Sequence, residues 1–240
     1  MVRPIVKKFP DAISVADAAA ADLFAFVSER LKLQKRVDIA LTGGTVGILT
    51  LASAANLDFN SLDLSGLHIW WGDERFVSSD HEDRNAVQSR NAWLRKLEVP
   101  AGNVHEFPSS DSLQTIERAT VEFGAFFQGE QINFDLMLMG VGPDGHIASL
   151  FPGHSAGESM ESVVAETNSP KPPAGRLSFS YSEINRADEI WFTVAGSDKA
   201  LAVATAFGDN PTELPVGKIH GKEKTVWYVD QTAGNLAWGC

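Results

Sequence analysis

A single cysteine occurs in the 240 residues, and it is the last of them, Cys240. No intrachain disulfide can form, so a stapled secreted scaffold is excluded and a reducing compartment fits. Also missing is any apolar run near the roughly 18 residues that a membrane span needs. The first ten residues, Met1-Val-Arg-Pro-Ile-Val-Lys-Lys-Phe-Pro10, lack the apolar centre of a secretory signal. Dense basic runs are absent too. Lys and Arg number 20 against 31 Asp and Glu, a net charge of −11. Nucleic acid and anionic membranes are therefore not expected as partners. No His, Cys, Asp and Glu spacing resembles a dedicated metal site, and no internal repeat, low-complexity tract or clear linker appears. These absences fit a soluble cytoplasmic protein, and a few local Arg and Lys residues can still hold an anionic small molecule inside it; a monomer or homodimer is expected.

The apolar share of 44 % is ordinary for a globular chain and sufficient for one large core. One domain over residues 1–240 is expected. Ser14 to about Lys35 reads as a helix capped by Ser14, with Leu23, Phe26, Val27 and Leu31 on its apolar face. Short apolar strands follow at 37–41, 67–71, 134–139, 189–195 and 224–229, with further strands at 163–166 and 176–181. Helices are expected at 46–55, 85–97, 112–128 and from Lys199 to Phe207. Strand, turn and helix alternate at least four times, which predicts a mostly parallel α/β sheet with helices on both faces, Rossmann-like in kind.

Three strands end in glycine followed by polar residues: Thr42-Gly-Gly-Thr45, Gly72-Asp-Glu-Arg75 and Gly140-Val-Gly-Pro-Asp-Gly-His146. A fourth ends in Gly196 with Lys199 close behind. In an open α/β sheet, ligands bind beyond the carboxyl ends of the strands, so these turns converge on one place. Gly43, Gly44 and Thr45 before a helix suit an anion, because backbone N–H groups and the helix dipole favour negative charge. The loop is not a Walker motif, since no Gly-Lys-Ser/Thr follows. Gly140 to Gly145 matches G-x-G-x-x-G, but Pro143 removes a donor that phosphates would want, and a dinucleotide site is not expected. Asp73, Glu74, Asp144 and His146 are the acid–base candidates. The apolar run after His146 reads as a helix start, whose partial positive charge would keep the imidazole neutral and able to accept a proton. His68, His81, His105, His154 and His220 read as surface or packing residues.

Gly72-Asp-Glu-Arg75, Asp83-Arg-Asn85, Gly140-Val-Gly-Pro-Asp-Gly-His146 and Ser149-Leu-Phe-Pro152 together strongly resemble the 6-phosphogluconolactonases. The resemblance extends from about residue 10 to 230 and implies the fold of the glucosamine-6-phosphate deaminases. It also implies hydrolysis of 6-phosphogluconolactone to 6-phosphogluconate in the oxidative pentose phosphate pathway, with no cofactor and no metal. On this resemblance Gly43, Gly44 and Thr45 cradle the 6-phosphate and Arg176 and Lys199 clamp it. His146 is then the general base, Arg75 stabilises developing negative charge, and Asp73 and Asp144 tune His146 or hold sugar hydroxyls. Arg84 stands where the family usually has Ser, which bears on sugar contacts. A deaminase would carry an acid just past the histidine; Leu150-Phe-Pro152 has none. A non-catalytic sugar-phosphate sensor would carry a DNA-binding domain, for which the acidic chain shows no spare N-terminal length.

Overall fold

Uninterrupted apolar segments become the middle of a parallel sheet. The computed structural model describes residues 3–113 and 115–239; Cys240, and Gln114 within the predicted helix over 112–128, lie outside them. The chain opens with β1 (Ile5–Phe9) and α1 (Ala12–Leu33), then β2 (Val37–Leu41) and α2 (Gly44–Ala54). After β3 (Leu67–Trp71) come β4 (Asp73–Arg75), α3 (Asn85–Ala92), α4 (Ile116–Glu130) and β5 (Leu136–Met139). The second half holds β6 (Val163–Glu166), β7 (Arg176–Phe179), α5 (Tyr181–Ile184), β8 (Glu189–Val194), α6 (Ala200–Ala206), β9 (Lys224–Asp230) and α7 (Gln231–Trp238).

Six strands form one sheet in the order β1-β9-β8-β5-β2-β3, all parallel. Every residue of β2, β5 and β8 is buried, as expected for strands covered on both faces. Alternate residues show what covers each face. Trp191 and Tyr228 contact each other on one face, where Phe26 of α1 meets Trp191 edge-on. Phe192 and Trp227 stack on the other face, under Phe207 beside α6, with Trp238 of α7 against Phe207. Trp70 and Trp71 are both buried; the Trp70 indole N–H donates to Asp38 at 2.8 Å, so its polar edge is satisfied in the core.

A second, antiparallel sheet, β4-β7-β6, sits apart from the first. Its Phe179 packs against Phe123 and Phe127 of α4 and against Phe134 at the entry to β5, which ties it to the main core. Gly72 forms the junction between the sheets, donating to Leu41 and accepting from Phe179. The Gly-Asp-Glu-Arg turn is thus a strand of its own.

Several boundaries differ from expectation. Ser14 does not cap α1; Asp11 does, accepting the Ser14 N–H at 2.8 Å, which makes Ser14 the third helical residue. The expected helix over 112–128 begins at Ile116 behind its cap Thr115. The helix over 85–97 stops at Ala92 and continues only as one 3-10 turn, Leu94–Lys96. The largest difference lies after β5, where no helix forms.

Candidate active site

Strands β2 and β5 are neighbours whose onward connections run to opposite sides of the sheet. The gap above such a pair is the switch point at which open α/β sheets leave a crevice. A cleft of about 550 Å3 occupies it, walled by the turns after β2, β5 and β8 and roofed by the second sheet. The two central turns are joined directly, the Gly140 N–H donating to Thr42 Oγ1 at 3.3 Å.

His146 is fixed by the turn that carries it. The Gly142 N–H donates to the His146 carbonyl at 2.8 Å and the Gly145 N–H to the Gly142 carbonyl at 2.9 Å, with Gly145 at φ +78°. A Cβ on Gly142 would fall 1.9 Å from His146 Nδ1, so only glycine lets the imidazole fold back over this turn. There His146 Nδ1 is hydrogen-bonded to Asp144 Oδ1. An ionised Asp144 can only accept, so Nδ1 carries the proton and Nε2 keeps its lone pair. The ring also packs on Phe151, centroids 4.7 Å apart.

The helix expected after His146 is replaced by a tight turn. Leu150 N–H donates to the Ile147 carbonyl at 2.9 Å and Ala148 adopts φ +48°, a conformation no helix propagates. The helix dipole therefore does not act on His146. Burial depresses its pKa instead, against the hydrogen bond and charge of Asp144, while Lys171 lowers it further and Asp73 raises it. The direction agrees with the sequence reading; the cause does not. For Asp144, burial pushes the pKa up, but the His146 hydrogen bond and charge outweigh it and the net shift is downward.

Asp73 lines the cleft at the start of β4, with Ser149 Oγ donating to Oδ2 at 2.6 Å and Asn85 Nδ2 to Oδ1 at 3.1 Å. Glu74 faces the opposite way and is structural. Its carboxylate accepts the backbone N–H groups of Arg75, Asn85 and Ala86 and so caps α3. Burial raises its pKa to about 7, opposed by Arg84 and those three N–H groups. Arg84 is fully buried, with Nε 3.7 Å from Glu74 and Nη2 donating to the Phe107 carbonyl at 2.7 Å. It does not line the cleft, so its departure from the family pattern concerns a buried ion pair and not a sugar contact. Arg75 does line it, with Nη1 donating to the Asp83 carbonyl.

The remaining candidates gather across the cleft. Gly43 is the N-cap of α2 and has no side chain to cap it, leaving the first N–H groups open, and Gly44 sits at φ +77° with open space where a Cβ would be. Lys199 Nζ donates to Asp198 at 2.8 Å. Arg176 is mostly committed elsewhere: Nε donates to the Pro173 carbonyl at 3.0 Å, and Nη2 to the carbonyls of Lys171 at 3.0 Å and Pro172 at 3.2 Å. It thereby pins a strap across the cleft that carries Lys171, a cation the sequence reading missed inside a proline-rich stretch. Burial lowers the Lys171 pKa, Asp144 raises it, and Lys199 and Arg176 lower it again. Arg75 and Arg176 also stand opposite each other in the β4–β7 register, a like-charge pair that an anion would relieve. Arg75, Lys171, Arg176 and Lys199 thus gather four cations at one cleft, beside Asp73, Asp198 and Asp230, in a chain of net charge −11. Among the described residues no group of three or more His, Cys, Asp or Glu is placed to hold a metal.

Residues 10–227 match the family model described as glucosamine-6-phosphate isomerases/6-phosphogluconolactonase. A 6-phosphogluconolactonase of Mycobacterium leprae is 36 % identical, over 95 % of this chain and 96 % of its own. Another from a Nostoc species is 33 % identical, over 97 % and 98 %. The crystal structure of the 6-phosphogluconolactonase from Thermotoga maritima shares the fold with a TM-score of 0.86 at 24 % identity, covering 95 % of this chain and all of that one.

Proposed function

The chain belongs to the glucosamine-6-phosphate isomerase/6-phosphogluconolactonase family, and from that premise we propose His146 as the general base of a lactone hydrolysis. The reaction opens 6-phospho-D-glucono-1,5-lactone to 6-phospho-D-gluconate, the second step of the oxidative pentose phosphate pathway. His146 Nε2 takes a proton from water as the oxygen attacks the lactone carbonyl, and Asp144 stabilises the imidazolium through Nδ1. Arg75 faces the negative charge that develops on the carbonyl oxygen. Collapse of the tetrahedral intermediate breaks the bond to the ring oxygen, which takes the proton back from His146. Asp73, held by Ser149 and Asn85, adds a fixed negative charge that favours the imidazolium. The α2 N-terminus at Gly43, Gly44 and Thr45 holds the 6-phosphate, with Lys199, Arg176 and Lys171 around it.

The observation that carries this reading is the His146–Asp144 pair set in a cation-lined cleft at the switch point. His146→Asn should lower kcat by roughly 10²–10⁴-fold, the range for loss of a general base, and leave KM nearly unchanged. A folded His146→Asn with near-normal kcat would remove His146 from the role. The same reading gives one domain, supported by a single apolar cluster that runs through both sheets. It also gives a cytoplasmic enzyme, monomer or homodimer, with a small-molecule substrate and no cofactor. No helix among the described residues is long and apolar enough to cross a membrane.

A further inference from the structure

We propose that Asn85 reads a secondary hydroxyl of the lactone, accepting its hydrogen bond at Oδ1. The inference rests on the lactonase reading and adds to it the residue that recognises the sugar. Asn85 is 1 % exposed, yet it lines the cleft at the first turn of α3. Its Nδ2 donates to the Asp73 carbonyl at 2.8 Å and to Asp73 Oδ1 at 3.1 Å. Both partners are acceptors only, so the amide cannot be flipped, and the oxygen is the atom left facing away from Asp73. That oxygen is buried and has no hydrogen-bond partner. It lies against the phosphate loop, 2.0 Å from where a Cβ of Gly43 would stand.

Leaving a buried acceptor without a donor is costly, and a ligand that brings a donor removes that cost. The substrate offers few donors. Its phosphate dianion, lactone carbonyl and ring oxygen only accept; the hydroxyls at C2, C3 and C4 donate. A phosphate oxygen would be repelled by Oδ1, which places the phosphate on the N–H side of the loop and the sugar ring on the Asn85 side. The position of the Asn85 amide also accounts for the glycine at position 43. Its φ is −84°, open to any residue, so the close approach of Asn85 is what excludes a side chain.

The test is a cycle of two enzymes and four substrates. The parent lactone and its 2-, 3- and 4-deoxy analogues, generated from the corresponding hexose 6-phosphates, are assayed with wild type and with Asn85→Ala. One deoxy analogue should lose roughly 10–100-fold in kcat/KM with wild type, and that loss should shrink to within about twofold in Asn85→Ala. The ratio is insensitive to any general damage from the lost Asp73 contacts. Equal losses in both enzymes, or no discrimination by wild type, would overturn the assignment. Should Asn85→Ala fail to fold, Gly43→Ala serves the same purpose, because its Cβ must displace the Asn85 amide. It should abolish the same discrimination, and its retention would count against the proposal. A wild type that fails to accelerate opening of the parent lactone would instead strike the lactonase reading, and this inference with it.

Discussion

Burial and Asp144 pull His146 in opposite directions, and burial prevails, so the imidazole is neutral at pH 7 and able to accept a proton. The free-enzyme rate should therefore fall on the acid side as one proton binds, with a limb below the ordinary histidine value of about 6.5. Asp144 favours the imidazolium, so removing it moves the limb further toward low pH and frees the ring to adopt the wrong tautomer. Asp144→Ala should lower kcat by roughly 10²–10⁴-fold and displace the limb downward in a pH profile of kcat/KM. A limb that stays put or rises would show that Asp144 does not govern His146. His146 and Asp73 were legible because each follows a glycine at a strand end, where chemistry collects. Asn85 entered only through the Asp83-Arg-Asn85 motif of the family resemblance, and Lys171 was missed because its place depends on carbonyls that Arg176 holds from five residues away. No sequence spacing encodes that contact.

Elements were legible where apolar runs are continuous and caps are ordinary. The strands at 37–41, 67–71, 189–195 and 224–229 have their expected places. Missed were β1, whose Lys7 and Lys8 and flanking prolines disguise an edge strand, and α7, although Asp230 caps it and Gly239 closes it in the left-handed region. The helix expected after His146 failed because Ser149 is drawn to Asp73 and Ala148 turns the chain back. Two elements have measurable consequences. Glu74 caps α3 and lies against buried Arg84, which also sits 3.8 Å from Glu106, so Glu74→Gln should destabilise the fold by about 1–3 kcal/mol in denaturant titration, the cost of leaving buried donors short of an acceptor. Stability indistinguishable from wild type, where a loss of about 1–3 kcal/mol is expected, would contradict that role. The strap over the cleft presents Lys171, and Lys171→Ala should raise KM about tenfold with a smaller change in kcat. Arg176→Ala should behave alike, because it releases the same strap; an unchanged KM in both variants would remove the strap from substrate binding.

At the scale of the whole molecule, the alternation of strand and helix gave a parallel α/β sheet correctly, since strands covered on both faces announce themselves as unbroken apolar runs. The second sheet was not legible as such: β4 is three residues long and antiparallel pairing between residues a hundred apart leaves no local pattern. That sheet is what closes the cleft, bringing Arg75 and Arg176 over the turns of the first. The overall −11 charge coexists with a cleft lined by four cations. The proposed function uses this arrangement to hold a remote anionic group whose binding positions the reacting carbonyl. The most direct measurement is therefore kcat/KM for 6-phosphogluconolactone against unphosphorylated gluconolactone, followed by acid release and corrected for spontaneous opening. A preference of roughly 100-fold or more for the phosphorylated lactone is expected, the scale of a charge-assisted contact or two. Comparable values for both would contradict a phosphate-anchored lactonase at this cleft.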